Sequence, residues 1–284
     1  MGTFSRTWSY IQVSWRVLMK DTSILVFPVV SMAAVLVILV PFAIGNRAAL
    51  VAAKGSSAML PASLYAQTFV LYLVCSFVIV FANSAMVACA SICLSGGTAA
   101  VADGFSAALR NLPRIALWSM IAGTVGFLLS MARRREDGIV NQLVTAVIGV
   151  AWAAGTYFII PVIILEGCDI FTAFKRSAEL FRRQWGAAVA GNVGFGAVFM
   201  LFWIVPIALV AAAGGLGMLS KTALLTAVVV CGIYFVILGA VQSALEEIFV
   251  VVAYQQASGT GNPQEIDPQF AMAGFSQGEL RIND

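Results

Sequence analysis

The sequence predicts an all-α, polytopic membrane protein with six transmembrane helices and three amphipathic helices on one membrane face. The 284 residues are 61% hydrophobic and only 10% charged, whereas soluble domains carry about 25% charged residues. Charged residues are separated by six uncharged runs of 18 to 48 residues, and a spanning helix needs about 20. Three further stretches place aromatic and basic residues at helical spacing.

The uncharged runs set the predicted spans. The longest run, between Lys54 and Asp103, could hold two spans, but its first part, Gly55 to Pro61, is typical of a loop. We therefore predict one span for each run. The predicted spans cover residues 24–44, 66–95, 113–132, 139–165, 187–213 and 222–246, approximately.

The first predicted amphipathic helix covers about residues 4–20. Its apolar face consists of Phe4, Trp8, Ile11, Trp15 and Leu18. Its polar face carries Arg6, Ser9, Arg16 and Lys20. Because charges interrupt this stretch and no continuous apolar core precedes Asp21, we do not expect a signal peptide here.

The second predicted amphipathic helix covers residues 103–112. Asp103 is its expected N-cap, since an aspartate carboxylate can accept hydrogen bonds from the free N–H groups of a first helical turn. Pro113 is expected to end it, because proline cannot continue the hydrogen-bond ladder. The predicted faces set Phe105, Ala108, Leu109 and Leu112 against Ser106, Arg110 and Asn111.

The third predicted amphipathic helix, 169–185, has the clearest pattern. Asp169 is its expected N-cap. The apolar residues that recur every three or four positions are Phe171, Phe174, Ala178, Phe181 and Trp185. The candidate lipid- or partner-binding surface consists of Lys175, Arg176, Arg182, Arg183 and Trp185. Aromatic residues on one face and basic residues on another favour a helix lying in the headgroup plane; the alternative is an ordinary cytosolic linker helix packed on the bundle.

Each amphipathic helix precedes two predicted spans. The chain therefore divides into three copies of one unit, a surface helix followed by a transmembrane hairpin. Two spans in each copy preserve the topology, so any internal symmetry axis should lie along the membrane normal.

Lysine and arginine positions predict the orientation. With six spans, ten of the 16 Lys and Arg residues fall on the side that holds both termini, and basic residues mark the cytosolic side. We expect a bacterial-type cytoplasmic (inner) membrane protein with one membrane domain, 1–257, and a polar cytosolic tail, 258–284. The cluster Arg133 to Arg135 would then be an outer loop, either simply solvated or in contact with anionic headgroups or a partner.

Ionisable and amide side chains within or beside spans are candidates for a polar path. The candidates are Glu166, Glu246, Asn83 and Asn192. For Glu246 the alternative is a solvated helix end, and for the asparagines it is hydrogen bonding between helices. Glu166 could also pair with Lys175 or Arg176 and fold the surface helix back against the preceding span.

The composition argues against several classes of function. The chain has no histidine, which removes the commonest general base and metal ligand. No phosphate-binding loop, dinucleotide-binding turn, metalloprotease motif or nucleophile elbow is present. The net charge of +3 is dispersed and does not indicate nucleic-acid binding. We therefore expect no enzymatic activity, no cofactor and no metal.

Several short motifs resemble those of a known family. They are Ser14-Trp15-x-Val17-Leu18-x-x-Asp21, Phe27-Pro28, Pro161-Val162, Ala173-x-Lys175-Arg176-Ser177, Trp185-Gly186, and Ala253-Tyr254 with Gly259, Pro263 and Phe270. The chain resembles an uncharacterised family of bacterial and archaeal integral membrane proteins. It is also distantly similar to the membrane domain of some glycerophosphodiester phosphodiesterases. The resemblance implies a six-span fold and brings no known activity.

These patterns favour a non-enzymatic accessory or scaffold protein that engages lipid, a membrane-protein partner or a second copy of the chain. The alternative is a small-molecule or lipid transporter with a polar path in the bundle. An intramembrane enzyme fits the sequence least well, because histidine and catalytic motifs are missing.

Overall fold

The computed structural model describes residues 3–48, 62–134, 138–215 and 220–261. Within these ranges the chain is helical and has no strand. Six helical stretches within these ranges are long and apolar enough to cross a membrane: Thr22–Gly45, Ala62–Leu94, Leu112–Arg133, Gln142–Glu166, Ala188–Gly215 and Leu225–Ser258. The predicted all-α class with six candidate spans is therefore confirmed.

The helices, in chain order, are α1 Thr3–Lys20, α2 Val26–Gly45, α3 Ala62–Leu94, α4 Val101–Arg110, α5 Leu112–Arg134, α6 Gly138–Thr156, α7 Ile170–Gly215 and α8 Lys221–Ser258. A 3₁₀ turn, Thr22–Leu25, precedes α2. A short helix, Ile159–Pro161, and a π-helical turn, Val162–Glu166, connect α6 to α7. The π-helical turn ends at Gly167, whose φ of +65° is a conformation that favours glycine.

The order of elements agrees with the predicted threefold unit. Helix α1 precedes α2 and α3, α4 precedes α5 and α6, and the first part of α7 precedes its own span and α8. A polar residue with non-helical dihedral angles marks each junction between surface helix and span. These residues are Asp21 (φ −138°, ψ 89°), Asn111 (−99°, 12°) and Gln184 (−121°, 16°). A polar side chain at the junction is thus common to the three predicted copies, and the repeat itself stays a prediction.

Two details of the predicted helices are wrong. The N-cap of α4 is Ala100, and Asp103 lies in the first turn, where its carboxylate accepts a hydrogen bond from the Ala100 N–H at 2.9 Å. The last helix does not end at Glu246 but continues to Ser258, so Glu246 is not a solvated helix end.

Other predictions fall outside the described residues. Helix α5 includes the backbone of Arg133 and Arg134, whereas Arg135 is not described. The loop 55–61 and the tail beyond residue 261 also lie outside the described ranges, as do the side chains of Phe4, Arg6, Asn192 and Lys221. The division into one domain, 1–257, and a tail stays a prediction.

The chain forms two compact units. The first consists of Met1–Val29, Ala90–Ala99 and Leu180–Asp284. In its core α1 packs along α8, with the rings of Tyr10 and Phe249 edge to face at 5.9 Å. The Phe249 ring also lies edge to face against Phe195 at 5.5 Å and covers Gly191, where an added Cβ would overlap it.

The second unit consists of Val30–Cys89 and Ala100–Glu179. Helices α3 and α5 approach closely at Gly123, where an added Cβ would lie 3.1 Å from the Leu73 side chain. The Ser76 hydroxyl donates to the Ser119 carbonyl across the same pair of helices at 3.0 Å. Helices α5 and α6 are joined by the stacked indoles of Trp118 and Trp152, whose centroids lie 5.7 Å apart.

Candidate functional site

The first part of α7, residues 170–184, is the surface arm, and its start follows the prediction. The Asp169 carboxylate accepts hydrogen bonds from the N–H groups of Phe171 and Thr172, both at 3.1 Å. Asp169 is therefore confirmed as the N-cap. Hydrogen bonds from the Thr172 side chain and backbone, and from Phe171, lower the pKa of Asp169, so the carboxylate is charged at neutral pH at the positive end of the helix dipole.

A narrow stripe of the surface arm is packed against protein. Its buried residues are Ile170, Ala173, Ser177 and Leu180. The Ser177 hydroxyl is fully buried and accepts a hydrogen bond from the Phe158 N–H at 3.0 Å, which satisfies a donor just before the π-helical turn. The spacing of three or four residues places this stripe on one helical face, and that face contains none of the aromatic residues of the predicted pattern.

The aromatic residues flank the packed stripe on one side. Phe171 is 79% exposed, and Trp185, directly after Gln184, is 63% exposed. Phe174 is borderline exposed, and its ring lies 6.0 Å from Trp152. The arm therefore has three sides rather than two: a packed stripe, an aromatic side and a basic side.

The basic side is formed by the predicted cations. Lys175, Arg182 and Arg183 are exposed. Lys175 and Arg182 are seven residues apart, close to two helical turns, and thus share a face. Neither forms an ion pair with any residue in the described part of the chain.

Arg176 is held by two carboxylates. Its guanidinium lies 3.3 Å from the Glu166 carboxylate and 3.7 Å from that of Glu179. The predicted pairing of Glu166 with Arg176 is confirmed, and it ties the surface arm to the π-helical turn before it. Arg176 is thus less available to an external anion than Lys175 or Arg182.

Helix α1 leaves a similar aromatic row exposed. Trp8 is 56% exposed and Trp15, seven residues later, is 50% exposed. The opposite face, which includes Tyr10 and Ser14, is buried. In α4, Leu109 is 57% exposed while Ala108 is fully buried. All three surface helices therefore combine a packed stripe with uncovered apolar side chains.

A partly open cavity of about 600 Å³ lies within the second unit. Helices α2, α3, α5 and α6 form its wall, together with Ile159 and Ile160 after α6. Ile79 and Leu39, which are 46% and 37% exposed, mark its open edge. The polar groups among its lining residues belong to Tyr72, Ser76, Asn83, Trp118, Trp152 and Thr156.

Two of these six polar groups are engaged within the protein, and the side chains of Tyr72, Asn83, Trp118 and Trp152 have no hydrogen-bond partner among the described residues. The Ser76 hydroxyl donates to Ser119, and the Thr156 hydroxyl donates to the Trp152 carbonyl at 2.8 Å. In contrast, neither the Asn83 carboxamide nor the Trp118 indole N–H hydrogen-bonds to any residue that the structure describes. Trp118 is only 4% exposed and lines the cavity.

The candidates for a polar path occupy different places. Asn83 lines the cavity, whereas Glu166, in the same unit, is paired with Arg176 and is not among the lining residues. Glu246 lies in the first unit and accepts a hydrogen bond from the Gln242 amide at 2.9 Å. Gln242 in turn accepts from the Trp203 indole N–H at 3.0 Å. The predicted role of Asn192 stays a prediction, because its side chain is not described.

Sequence reasoning missed Trp118 and Trp152. An aromatic residue in an apolar run usually indicates packing, and the runs around these residues gave no periodic signal. The indole N–H was the available clue, since a buried tryptophan usually finds a hydrogen-bond partner. Among the described residues, no group of three His, Cys, Asp or Glu side chains could hold a metal ion.

Comparison with known proteins identifies a family. The model of a family of unknown function, DUF6159, matches residues 62–263, well over half of the chain. No curated protein and no solved structure matches the chain, so the likeness to the glycerophosphodiester phosphodiesterase membrane domain stays a prediction. The resemblance to an uncharacterised membrane-protein family is supported by a match that includes the motifs between Pro161 and Gly186. The chain belongs to DUF6159, a family of unknown function.

Proposed function

We propose that this protein is a non-enzymatic accessory protein of a bacterial-type cytoplasmic membrane that uses the surface arm to bind anionic lipid headgroups. One observation carries the proposal: packing of the stripe through Ala173 and Ser177 leaves the aromatic and basic sides of the arm both uncovered. Apolar surface that is exposed beside polar residues, as around Phe171 and Trp185, is typical of protein or membrane interaction sites.

The two uncovered sides have complementary preferences. Tryptophan and phenylalanine are favoured at the level of the headgroups and the upper acyl chains. A Lys or Arg near an anionic leaflet contributes about 1 kcal/mol of attraction. The Ser177 and Glu166 contacts fix the rotation of the part of the arm that carries Phe171 and Lys175. An amphipathic helix that packs in this way binds headgroups without first having to fold.

The test measures lipid preference in the full chain. Wild-type protein in nanodiscs of mixed phosphatidylglycerol and phosphatidylcholine should retain phosphatidylglycerol selectively, as read by native mass spectrometry. The triple variant Lys175→Gln, Arg182→Gln, Arg183→Gln should lose that preference, while Arg133→Gln, an exposed cation at the end of α5, should keep it. An unchanged preference in the triple variant would contradict the proposal.

The proposal places both termini in the cytosol. Ten of the 16 Lys and Arg residues support this orientation. Alkaline phosphatase fused after Asp284 should be inactive and a fluorescent protein at the same point should be bright. The opposite pair of results would reverse the orientation and put the surface arm on the outer leaflet.

A second candidate function is transport of a small molecule or a lipid. The cavity of the second unit favours it, because the unpaired Asn83 side chain lines an apolar wall. Transport predicts protein-dependent movement of a fluorescent lipid between the leaflets of reconstituted vesicles. A rate equal to that of empty vesicles would eliminate this candidate.

A further inference from the structure

We infer that the cavity of the second unit binds one neutral lipid, with its apolar chain along α2 and α3 and an uncharged carbonyl or hydroxyl head hydrogen-bonded to Asn83 and Trp118. This site shares no residue with the basic and aromatic sides of the surface arm. The inference therefore stands or fails independently of headgroup binding by the arm.

The shape of the site fits a chain. A second groove, of about 470 Å³, lies beside the cavity between α2 and α3, and Leu71 lines both. Gln67 lies at the far end of this groove, and Asn83 lines the cavity. Gln67 and Asn83 are sixteen positions apart in α3, which is about 24 Å at ~1.5 Å per residue. One leaflet of the hydrocarbon core is about 15 Å thick, half of ~30 Å, so an acyl or isoprenoid chain has room to lie extended.

The wall of the site selects against charge. Among the described residues that line the cavity and the groove, none is an Asp, Glu, Lys or Arg. An ion placed there would lose its hydration without gaining a counter-charge, which is prohibitively costly in an apolar environment. The part of the ligand that enters the cavity is therefore neutral.

The unpaired polar groups define the head of the ligand. The Asn83 carboxamide offers two N–H donors and one acceptor, and the Trp118 indole offers one donor. The hydroxyl protons of Ser76 and Thr156 are already donated to backbone carbonyls. Donors thus predominate among the free groups, and a carbonyl oxygen satisfies them best. A polar group left unpaired in such a site costs free energy, so the ligand supplies what the protein lacks.

The site is held open by contacts around it. The close approach of α3 and α5 at Gly123, the Ser76 hydrogen bond and the Trp118–Trp152 stack fix three of its helices. Binding sites for small molecules are usually formed in advance in this way and have volumes of about 300–1,000 Å³. The open edge at Ile79 and Leu39 provides an entry for a lipid from the side.

The experiment uses the full chain in vesicles with a diacylglycerol whose acyl chain carries a photoreactive diazirine. After irradiation, adducts on the peptide that contains Ile79 and Asn83 are measured relative to adducts on the exposed residues 228–230 of α8, which report general lipid contact. The variant Ala122→Phe should block the cavity and remove the excess labelling. The matched control, Met120→Phe, changes an exposed residue of the same helix and should leave labelling unchanged.

Asn83→Leu tests the polar contact. It keeps the apolar wall but removes the hydrogen bonds, so it should lower the relative labelling about three- to tenfold, the effect of one or two net hydrogen bonds. Labelling that Ala122→Phe and Asn83→Leu both leave unchanged overturns the inference. Equally strong labelling of the cavity by a diazirine phosphatidic acid, with the same sensitivity to Ala122→Phe, overturns the assignment of a neutral head.

Discussion

The two compact units use the same kind of apolar helix in opposite ways. In the first unit the Phe249 ring packs directly over Gly191 and contacts the rings of Tyr10 and Phe195. In the second unit Gly123 also lets two helices approach, but the space beside them stays open as a cavity of about 600 Å³. Composition therefore does not decide whether apolar helices pack without a gap. The position of a few aromatic rings does.

The units also differ in how they use charge. In the first, Asp21 accepts hydrogen bonds from Ser23 and from the distant Ala99 N–H at 3.3 Å. Burial alone would raise the pKa of Asp21, but these hydrogen bonds and one from Cys93 outweigh burial and lower it. In the second, Glu166 and Arg176 pair where each is about one-third exposed. The partly buried contact should contribute more to stability than the solvated pair.

Gly191→Ala should cause the largest loss of stability, because it disrupts the close packing of Phe249 on Gly191 in the first unit. The new methyl group overlaps the enclosed Phe249 ring, and overpacking of this kind costs about 1–3 kcal/mol. Thermal unfolding of the purified chain in detergent should show a clear loss of Tm. Gly194→Ala is the matched control, since its Cβ would meet nothing within 4 Å. Addition of Phe249→Leu should recover part of the loss of Tm. Equal Tm values for the two alanine variants would contradict the close packing of Phe249 on Gly191.

Asp21→Ala comes next and tests the partly buried charge of the first unit. Loss of a capping side chain costs about 0.5–2 kcal/mol. Because the folded pKa of Asp21 lies below its unfolded value of about 3.9, the contribution is present above that pH and disappears as the pH falls through the folded pKa. The wild type should thus lose more Tm than Asp21→Ala between neutral pH and pH 3. Asp21→Asn, which keeps an acceptor, should fall between them at neutral pH; parallel pH profiles for all three would refute the role of Asp21.

Ala122→Leu makes the corresponding test in the second unit, where the larger side chain would fill part of the cavity. Filling a cavity commonly adds about 0.5–2 kcal/mol, and we expect the lower end because this cavity is partly open. Tm in detergent should stay constant or rise slightly, in contrast to the loss at Gly191. A loss as large as that of Gly191→Ala would mean that the cavity is closed in the isolated protein.

Glu166→Gln should have the smallest effect. Exposed ion pairs contribute about 0–1 kcal/mol, so the Tm should change little and the change should vanish in high salt. A large loss of Tm that persists in high salt would show that this pair is as important as Asp21 and would remove the difference between the units.

What could be predicted from the sequence was mostly local. The spans follow from uncharged runs, and the cap by Asp169 and the pairing of Glu166 with Arg176 involve residues close in the chain. The misassigned cap at Asp103 and the misplaced end near Glu246 are errors of a few residues or turns, where hydropathy alone does not show how far a helix continues beyond its apolar run.

The cavity and the hydrogen bonds of Asp21 could not be predicted in this way. Asp21 meets Ala99, and Asn83 shares a cavity with Trp118 and Trp152, only after distant helices have packed. Nothing in the local pattern around Asn83 distinguishes a residue that hydrogen-bonds to a neighbouring helix from one that lines an open space. Long-range packing, rather than periodicity, decides between those two outcomes.

The length of helix α8 bears on how the protein would lie in a membrane. Its 38 residues give a rod of about 57 Å, longer than the ~40–45 Å of a whole bilayer, so it must either lean steeply or reach into water. Side chains in the first half of α8, such as Val229 and Ile237, are exposed, whereas most of those from Ala244 onward are buried. Since α1 packs on α8, with Tyr10 against Phe249, the exposed Trp8 and Trp15 keep a fixed position along the length of α8.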